Sequence, residues 1–131
     1  MSAVRSFRCN LAVAGVLALA ACEPTTNLPL RGEVINLPLS VEQLVCHVRQ
    51  VSASQGLSFH YGTSDQSFGK MATFRLIGDG YEITLVNAEK PFEYDLRVYD
   101  ASSETADNRP VLAYSRFKRA LLEPPSGECA R

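Results

Sequence analysis

Residues 72–99 read ATFRLIGDGYEITLVNAEKPFEYDLRVY, and this stretch decides the fold. Apolar and polar side chains alternate through three segments of it, which is the period of strands with one buried face. The glycines around Asp79 and the segment 87–91 interrupt the alternation, as tight turns do. The stretch therefore predicts three antiparallel strands joined by short connections. The residues predicted to face the core are Ala72, Phe74, Leu76, Tyr81, Ile83, Leu85, Phe92, Tyr94, Leu96 and Val98.

A fourth strand is predicted just upstream of this stretch. Leu57, Phe59 and Tyr61 alternate with small or polar neighbours. A polar loop is expected over residues 63–69, before the next strand begins. The four strands share one apolar face, and a helix is the obvious cover for it.

A helix is predicted over residues 41–55, immediately before the fourth strand. Ser40 and Gln43 form the capping-box pattern that begins a helix, and Gly56 is well placed to end it in the left-handed conformation. The sequence therefore predicts an α+β fold, in which one N-terminal helix packs on an antiparallel sheet of four to five strands. The apolar stripe of the helix consists of Val41, Leu44, Val45, Val48 and Val51.

Two flanking segments leave the number of strands open. Residues 33–37 contain two adjacent β-branched residues and are a candidate short edge strand. Residues 110–123 have apolar spacing that suits a helix, but VLAYS at 111–115 suits a fifth strand equally. We expect a strand there that runs into a short C-terminal helix. The polar segment 100–109 is predicted to be a loop.

The first 21 residues have the three zones of a secretory signal. Arg5 and Arg8 give a positively charged start, residues 11–19 are apolar, and two alanines precede Cys22. A membrane-spanning helix is the alternative, but the apolar run has only 11 residues (11–21) even when the two alanines are included, well short of the ~20 that cross a bilayer. We therefore expect residues 1–21 to be removed.

The motif Leu19-Ala20-Ala21-Cys22 resembles the lipobox of bacterial lipoproteins. The resemblance implies cleavage before Cys22 and acylation of that residue with fatty acids such as palmitate. Glu23 stands where an Asp would resemble an inner-membrane retention signal, which favours the outer membrane and a domain that faces the periplasm. The chain then divides into a cleaved signal peptide (1–21), a lipid-anchored tether (22–39) and a single α+β domain (40–131).

Charge and cysteine content narrow the partners. Without the two signal arginines the chain has 11 basic and 14 acidic residues, a net charge of −3. This argues against nucleic acid as a partner, because nucleic acid requires a clustered basic face.

Of the four cysteines, Cys9 leaves with the signal and Cys22 would carry lipid. An oxidising compartment favours a disulfide between the remaining Cys46 and Cys129, unless they lie too far apart.

No catalytic, metal or cofactor motif stands out in the sequence. His60 is predicted on the outer sheet face and His47 on the helix flank, both as surface histidines without the positioned partner that a general base needs. Gly78-Asp79-Gly80 lacks the alternating oxygen ligands of a calcium loop and the lysine of a phosphate loop, and a turn explains it. We therefore expect a protein that is not an enzyme and uses no metal, cofactor or small-molecule ligand.

The outer face of the predicted sheet carries charges of both signs. Such a face is usually solvated, with cross-strand ion pairs, and the alternative is a polar surface that recognises a protein partner. Tyr99 is the tyrosine predicted to point outward on this face. The candidate partner-binding residues are Arg75, Arg97 and Tyr99.

Small lipoproteins with a one-helix, antiparallel-sheet domain and a disulfide resemble the immunity proteins that bacteria keep against secreted antibacterial toxins. The resemblance implies a protein-binding module in the periplasm, with the outer sheet face and the loops 62–70 and 100–109 as its contacts. A structural or assembly lipoprotein of the cell envelope is the alternative function. An enzyme or small-ligand carrier would need convergent polar groups, which the sequence does not display.

Overall fold

The computed structural model describes residues 7–9, 22–24, 28–67, 69–101 and 108–130. Most of the predicted signal peptide lies outside these residues, and so does most of the predicted loop 100–109. Two short strands near the N-terminus, β1 and β2, pair antiparallel as a separate sheet. In chain order the elements are β1 (Phe7–Cys9), β2 (Cys22–Pro24), β3 (Arg31–Asn36), α1 (Val41–Ser54), β4 (Ser58–Gln66), β5 (Gly69–Ile77), β6 (Tyr81–Asn87), β7 (Glu93–Asp100), α2 (Arg109–Leu122) and a 3₁₀ turn (Gly127–Ala130).

The main sheet has five antiparallel strands in the order β3-β7-β6-β5-β4. Strands β4 to β7 form the expected meander, because each short connection returns the chain beside the strand before it. The first strand, β3, pairs with the last, β7. The α+β class and the predicted edge strand near residues 33–37 are therefore confirmed. The folded domain begins by Arg31, so part of the segment assigned to the tether (22–39) belongs to the sheet.

Both helices pack against the same face of the sheet. α1 contacts β4, and α2 contacts β6 and β7. The inward-facing side chains of the strands form one core with the apolar stripes of the two helices. The core positions predicted within residues 72–99 are buried or partly buried, except that Phe92 is 50% exposed. Outside that stretch, Val41 at the start of α1 is 60% exposed and Tyr61 is 36% exposed, although both were predicted on apolar faces. Phe92 lies in the β6–β7 turn with a φ of 65°, so the strand alternation begins after it.

The ends of α1 follow the local signals in the sequence. The Ser40 side chain accepts a hydrogen bond from the Gln43 backbone N–H, and the Gln43 side chain accepts one from the Ser40 N–H. Gly56 has a φ of 71°, which glycine adopts without steric cost. The Leu57 N–H then donates to the Ser52 carbonyl, and the Leu57 side chain enters the core.

The expectation of a strand within residues 110–123 is wrong, because the segment forms a full helix. Pro110 lies in the first turn of α2, where its missing N–H would have no helical acceptor. The buried side chains Ala113, Tyr114, Phe117 and Leu121 recur at helical spacing. The fifth place in the sheet is taken by β3, which is far away in sequence.

The expected polar loop at 63–69 is also wrong. β4 continues to Gln66 and β5 begins at Gly69, so the two strands form one long hairpin. Side chains from His60 to Gln66 are exposed on both faces of this hairpin. Without a buried face the sequence loses its apolar alternation, although the backbone pairing continues.

Candidate functional site

Among the described residues, the two helices cover one face of the sheet and leave the other, which we call the open face, uncovered. Its side chains belong to the alternate residues that point away from the helices. Across the described strands the open face comprises Gly32, Val34, Asn36, Glu93, Asp95, Arg97, Tyr99, Glu82, Thr84, Val86, Thr73, Arg75, Ile77, Ser58, His60 and Gly62.

Strand register brings the predicted binding residues together. Gly32, Arg97, Thr84, Arg75 and His60 are aligned across the five strands in one row. Arg75 and Arg97 are two strands apart, which separates their Cα atoms by about 10 Å. The sequence correctly predicted the face for both arginines, and only the register shows that they share a row.

Arg75 is held by a carboxylate on the neighbouring strand. Its Nε lies 2.8 Å from Oε2 of Glu82, and its Nη2 donates to Oε1 of the same residue at 3.2 Å. This two-point bond raises the pKa of Arg75 and fixes the plane of the guanidinium. The Arg75 side chain remains 53% exposed, so it has donors available to a partner.

Arg97 is held in the same way by Asp95, two residues earlier on β7. The Arg97 Nε and Nη2 donate to the Asp95 carboxylate at 3.1 and 2.8 Å. The hydrogen bond to Asp95 is the largest cause of the raised pKa of Arg97, followed by a hydrogen bond with Tyr99. Arg97 thus lies between Asp95 and Tyr99, and its side chain is 45% exposed.

A shallow depression of about 190 Å³ lies beside Arg97 on the open face. Such a depression offers oriented donors and one aromatic ring rather than an enclosed pocket. It can bind polar or anionic groups that a partner brings to the surface. The lining residues are Thr84, Val86, Asn87, Asp95, Arg97 and Tyr99.

A second polar cluster lies on the helix side, where β3 meets α2. Glu33 Oε2 accepts from the Tyr114 hydroxyl at 2.7 Å, and Oε1 accepts from Lys118 Nζ at 2.8 Å. These hydrogen bonds, from Lys118 first and then Tyr114, lower the pKa of Glu33. Burial, followed by the bond to Glu33, raises the pKa of Tyr114. Sequence reasoning missed this cluster. The available signal was that Glu33 is two residues from the buried Ile35 in β3, so both side chains lie on the helix side of the sheet.

The expected surface position of His47 is wrong. The side chain is only 4% exposed, and its Nε2 lies 2.9 Å from the carbonyl oxygen of Leu121. That carbonyl belongs to the last turn of α2, where it has no helical donor. His47 therefore caps α2 and links the two helices. His60 is exposed on the open face, as predicted.

Cys46 and Cys129 form the predicted disulfide, with Cα atoms 5.5 Å apart. Cys129 is buried in the 3₁₀ turn, which packs against α1. The bond thereby holds the C-terminal segment on the helix. Within the described residues, no group of three or more His, Cys, Asp or Glu side chains could hold a metal ion.

Comparison with models of protein families, with curated proteins and with solved structures found no match for this chain. Among the described residues, no helix has the length and apolar character needed to cross a membrane.

Proposed function

We propose that this protein is a lipid-anchored lipoprotein of the bacterial cell envelope whose open face binds and neutralises a secreted antibacterial toxin in the periplasm. The observation that carries the proposal is the open face itself. Both helices pack on one side of the sheet, and Arg75, Arg97 and Tyr99 lie together on the uncovered side. An envelope assembly role is the alternative that the same surface could serve.

The geometry of the open face favours a protein partner over a small molecule. Small-molecule sites are concave and bury most of the ligand, whereas the depression beside Arg97 on this sheet surface is shallow. Arg75 and Arg97 are already oriented by Glu82 and Asp95, so a partner loses less side-chain entropy when it binds them. A rigid polar surface of this kind suits a folded partner.

The chemistry of the arginines indicates what the partner presents. Each guanidinium has five N–H donors and uses two groups, Nε and Nη2, on its own carboxylate. The remaining donors of Arg75, and those of Arg97 that do not bond Tyr99, are complementary to carboxylates on the surface of another protein. We therefore expect the toxin to present acceptor oxygens, such as those of a carboxylate or a carbonyl, to these two arginines.

The cellular location rests on two features of the chain. The signal pattern ending at Cys22 supports export and lipid anchoring. The Cys46–Cys129 disulfide supports an oxidising compartment such as the periplasm. A toxin that enters the periplasm would meet the protein there before reaching its target.

Co-culture of a deletion strain with its wild-type siblings tests the proposal. The deletion strain should lose viability only when the siblings secrete their effectors, and the wild-type gene should restore survival. The double variant Arg75→Glu/Arg97→Glu should not protect, because it replaces the guanidinium donors by carboxylates that repel the acceptor oxygens of the toxin. Arg116→Glu/Arg119→Glu is the matched control, since both are exposed arginines on α2, away from the open face, and the net charge changes by the same amount.

The double variant should unfold at a somewhat lower temperature than the wild type, because its new carboxylates face Glu82 and Asp95. Both purified variants should nevertheless be fully folded at the temperature of the co-culture, so that a loss of protection reports binding. Equal survival of the deletion strain with and without effector delivery would overturn the toxin proposal. Co-purification of the wild type with integral envelope proteins, together with such equal survival, would instead support the assembly role.

A further inference from the structure

The strand β4 is an exposed and regular edge of the sheet. It pairs one-to-one with β5 over nine residues without a bulge, and no described strand pairs with its other side. From His60 to Gln66 its side chains are exposed on both faces. The backbone donors and acceptors along its free side are therefore available to another strand.

β4 also lacks the features that usually prevent edge pairing. It has no proline and no lysine, and its ionisable residues are His60, Tyr61 and Asp65. The opposite edge, β3, is shorter and carries both Arg31 and Glu33. Charges and short length discourage pairing at an edge, so β4 is the edge suited to it.

We propose that two copies of this protein pair antiparallel through β4, around a twofold axis at Gly62. This register overlaps the strands along their whole length, from Ser58 opposite Gln66 onward. It places Phe59 of one copy opposite Asp65 of the other, so no like charges face each other. The two sheets become one continuous sheet, independently of the function proposed for the open face.

Charge complementarity on the helix side of the sheet favours a second copy of this protein as the partner that pairs with the free edge of β4. The Arg49 guanidinium carbon lies 5.0 Å from the centre of the Phe59 ring. Phe59 and Asp65 have the same parity in β4, so both side chains point to that side. In the paired register, Asp65 of the second copy lies beside Phe59 and within reach of Arg49. The twofold axis creates this ion pair twice.

Pairing through β4 has a consequence for the open face. In this register each even-numbered residue of β4, which belongs to the open face, lies opposite an even-numbered residue of the second copy. The open faces of both copies therefore point to the same side. The rows that contain Arg75 and Arg97 then continue across one wide surface. The dimer would present two equivalent binding surfaces to its surroundings.

Cysteine cross-linking of the full chain, expressed in bacterial cells, tests the register. A Cβ added at Gly62 meets no atom within 4 Å, so Gly62→Cys is accommodated. Opposite residues in an antiparallel pair have Cα atoms about 4.5–5.5 Å apart, within the range of disulfides. Gly62→Cys should therefore form a covalent dimer on non-reducing gels. Ser58→Cys is the matched control, because its two copies would lie about 26 Å apart.

Wild-type chain, run beside both variants, reports any cross-linking by its own cysteines. Added to Gly62→Cys, either Arg49→Glu or Asp65→Arg should lower the cross-linked fraction about threefold, as the loss of paired surface charges predicts. The two charge changes together should restore it. The proposal is overturned if Gly62→Cys cross-links no more than Ser58→Cys or the wild type, or if the double charge swap fails to restore the dimer.

Discussion

His47 links the two helices at a point where both would otherwise have an unsatisfied group. The Leu121 carbonyl at the end of α2 receives its hydrogen bond from the buried imidazole. A buried acceptor that loses its donor costs about 1–3 kcal/mol. His47 is therefore a structural residue rather than a candidate for acid–base chemistry.

Substitution of the two histidines should have unequal effects on stability. His47→Ala leaves the Leu121 carbonyl without its donor and opens a gap between the helices, so we expect a loss of at least about 2 kcal/mol in the free energy of unfolding. His60→Ala, at an exposed position, should change it by no more than about 0.5 kcal/mol. Urea unfolding measures both, and similar values for the two variants would contradict the role of His47.

Glu33 should make the stability of the protein depend on pH. Its pKa lies below the ordinary value of 4.5, chiefly because Lys118 and Tyr114 bond the charged form. The charged carboxylate therefore stabilises the fold above pH 4.5, and this contribution is lost as the pH falls through the lowered pKa. Glu33→Gln should cost about 1 kcal/mol at neutral pH and little in acid.

Denaturant unfolding of Glu33→Gln and of the wild type between about pH 7 and pH 3 measures this difference. Glu89→Gln provides the control, because Glu89 is exposed in the β6–β7 turn. A difference between Glu33→Gln and wild type that stays constant into acid would disprove the contribution of the charged pair.

At the scale of elements, the disulfide joins α1 to the C-terminal 3₁₀ turn. Cys46 and Cys129 are 83 residues apart in sequence, so the bond closes most of the domain into one loop. A disulfide that closes a loop of that length lowers the entropy of the unfolded chain, and this raises the free energy of unfolding by up to about 4.5 kcal/mol. The bond lies on the helix side and does not touch the open face.

Removal of the disulfide should destabilise the domain substantially. We expect Cys46→Ala/Cys129→Ala to lower the free energy of unfolding by about 2–5 kcal/mol. Reducing agent should lower the stability of the wild type by a similar amount and leave the double variant unchanged. If reducing agent has no effect on the unfolding of the wild type, the bond does not constrain the chain in solution.

The hairpin of β4 and β5 shows where strand prediction from sequence stops. Up to Tyr61 one face of β4 packs near the core, where Tyr61 and Phe74 have ring centres 4.7 Å apart. Beyond it both faces are solvated and the residues are polar, as they would be in a loop. Backbone hydrogen bonds to β5 maintain the strand there. These bonds do not require apolar and polar side chains to alternate, so the sequence carries no signal for them.

At the scale of the whole molecule, the lipid anchor that we propose at Cys22 determines where the open face can act. Cys22→Ser should abolish incorporation of labelled palmitate and release the protein from the membrane fraction. Each buried CH₂ contributes roughly 0.8 kcal/mol, so losing the acyl chains removes the attachment. Cys9→Ser should change neither result, because that residue is predicted to leave with the signal. Continued palmitate labelling of Cys22→Ser would contradict the anchor.

The sequence by itself determined the features that depend on neighbouring residues. Alternation predicted which side chains of β5 to β7, and of β4 as far as Phe59, face the core, including the outward positions of Arg75, Arg97 and Tyr99. Ser40 and Gly56 predicted the ends of α1, because capping groups act within one helical turn.

Only the tertiary structure decided the features that join distant segments. The pairing of β3 with β7, the helical state of α2 and the alignment of the two arginines all depend on contacts between residues far apart in the chain. His47 and Glu33 gained their partners, Leu121 and Tyr114, in the same way. Local periodicity records which face of an element is apolar, and packing and register determine what that face meets.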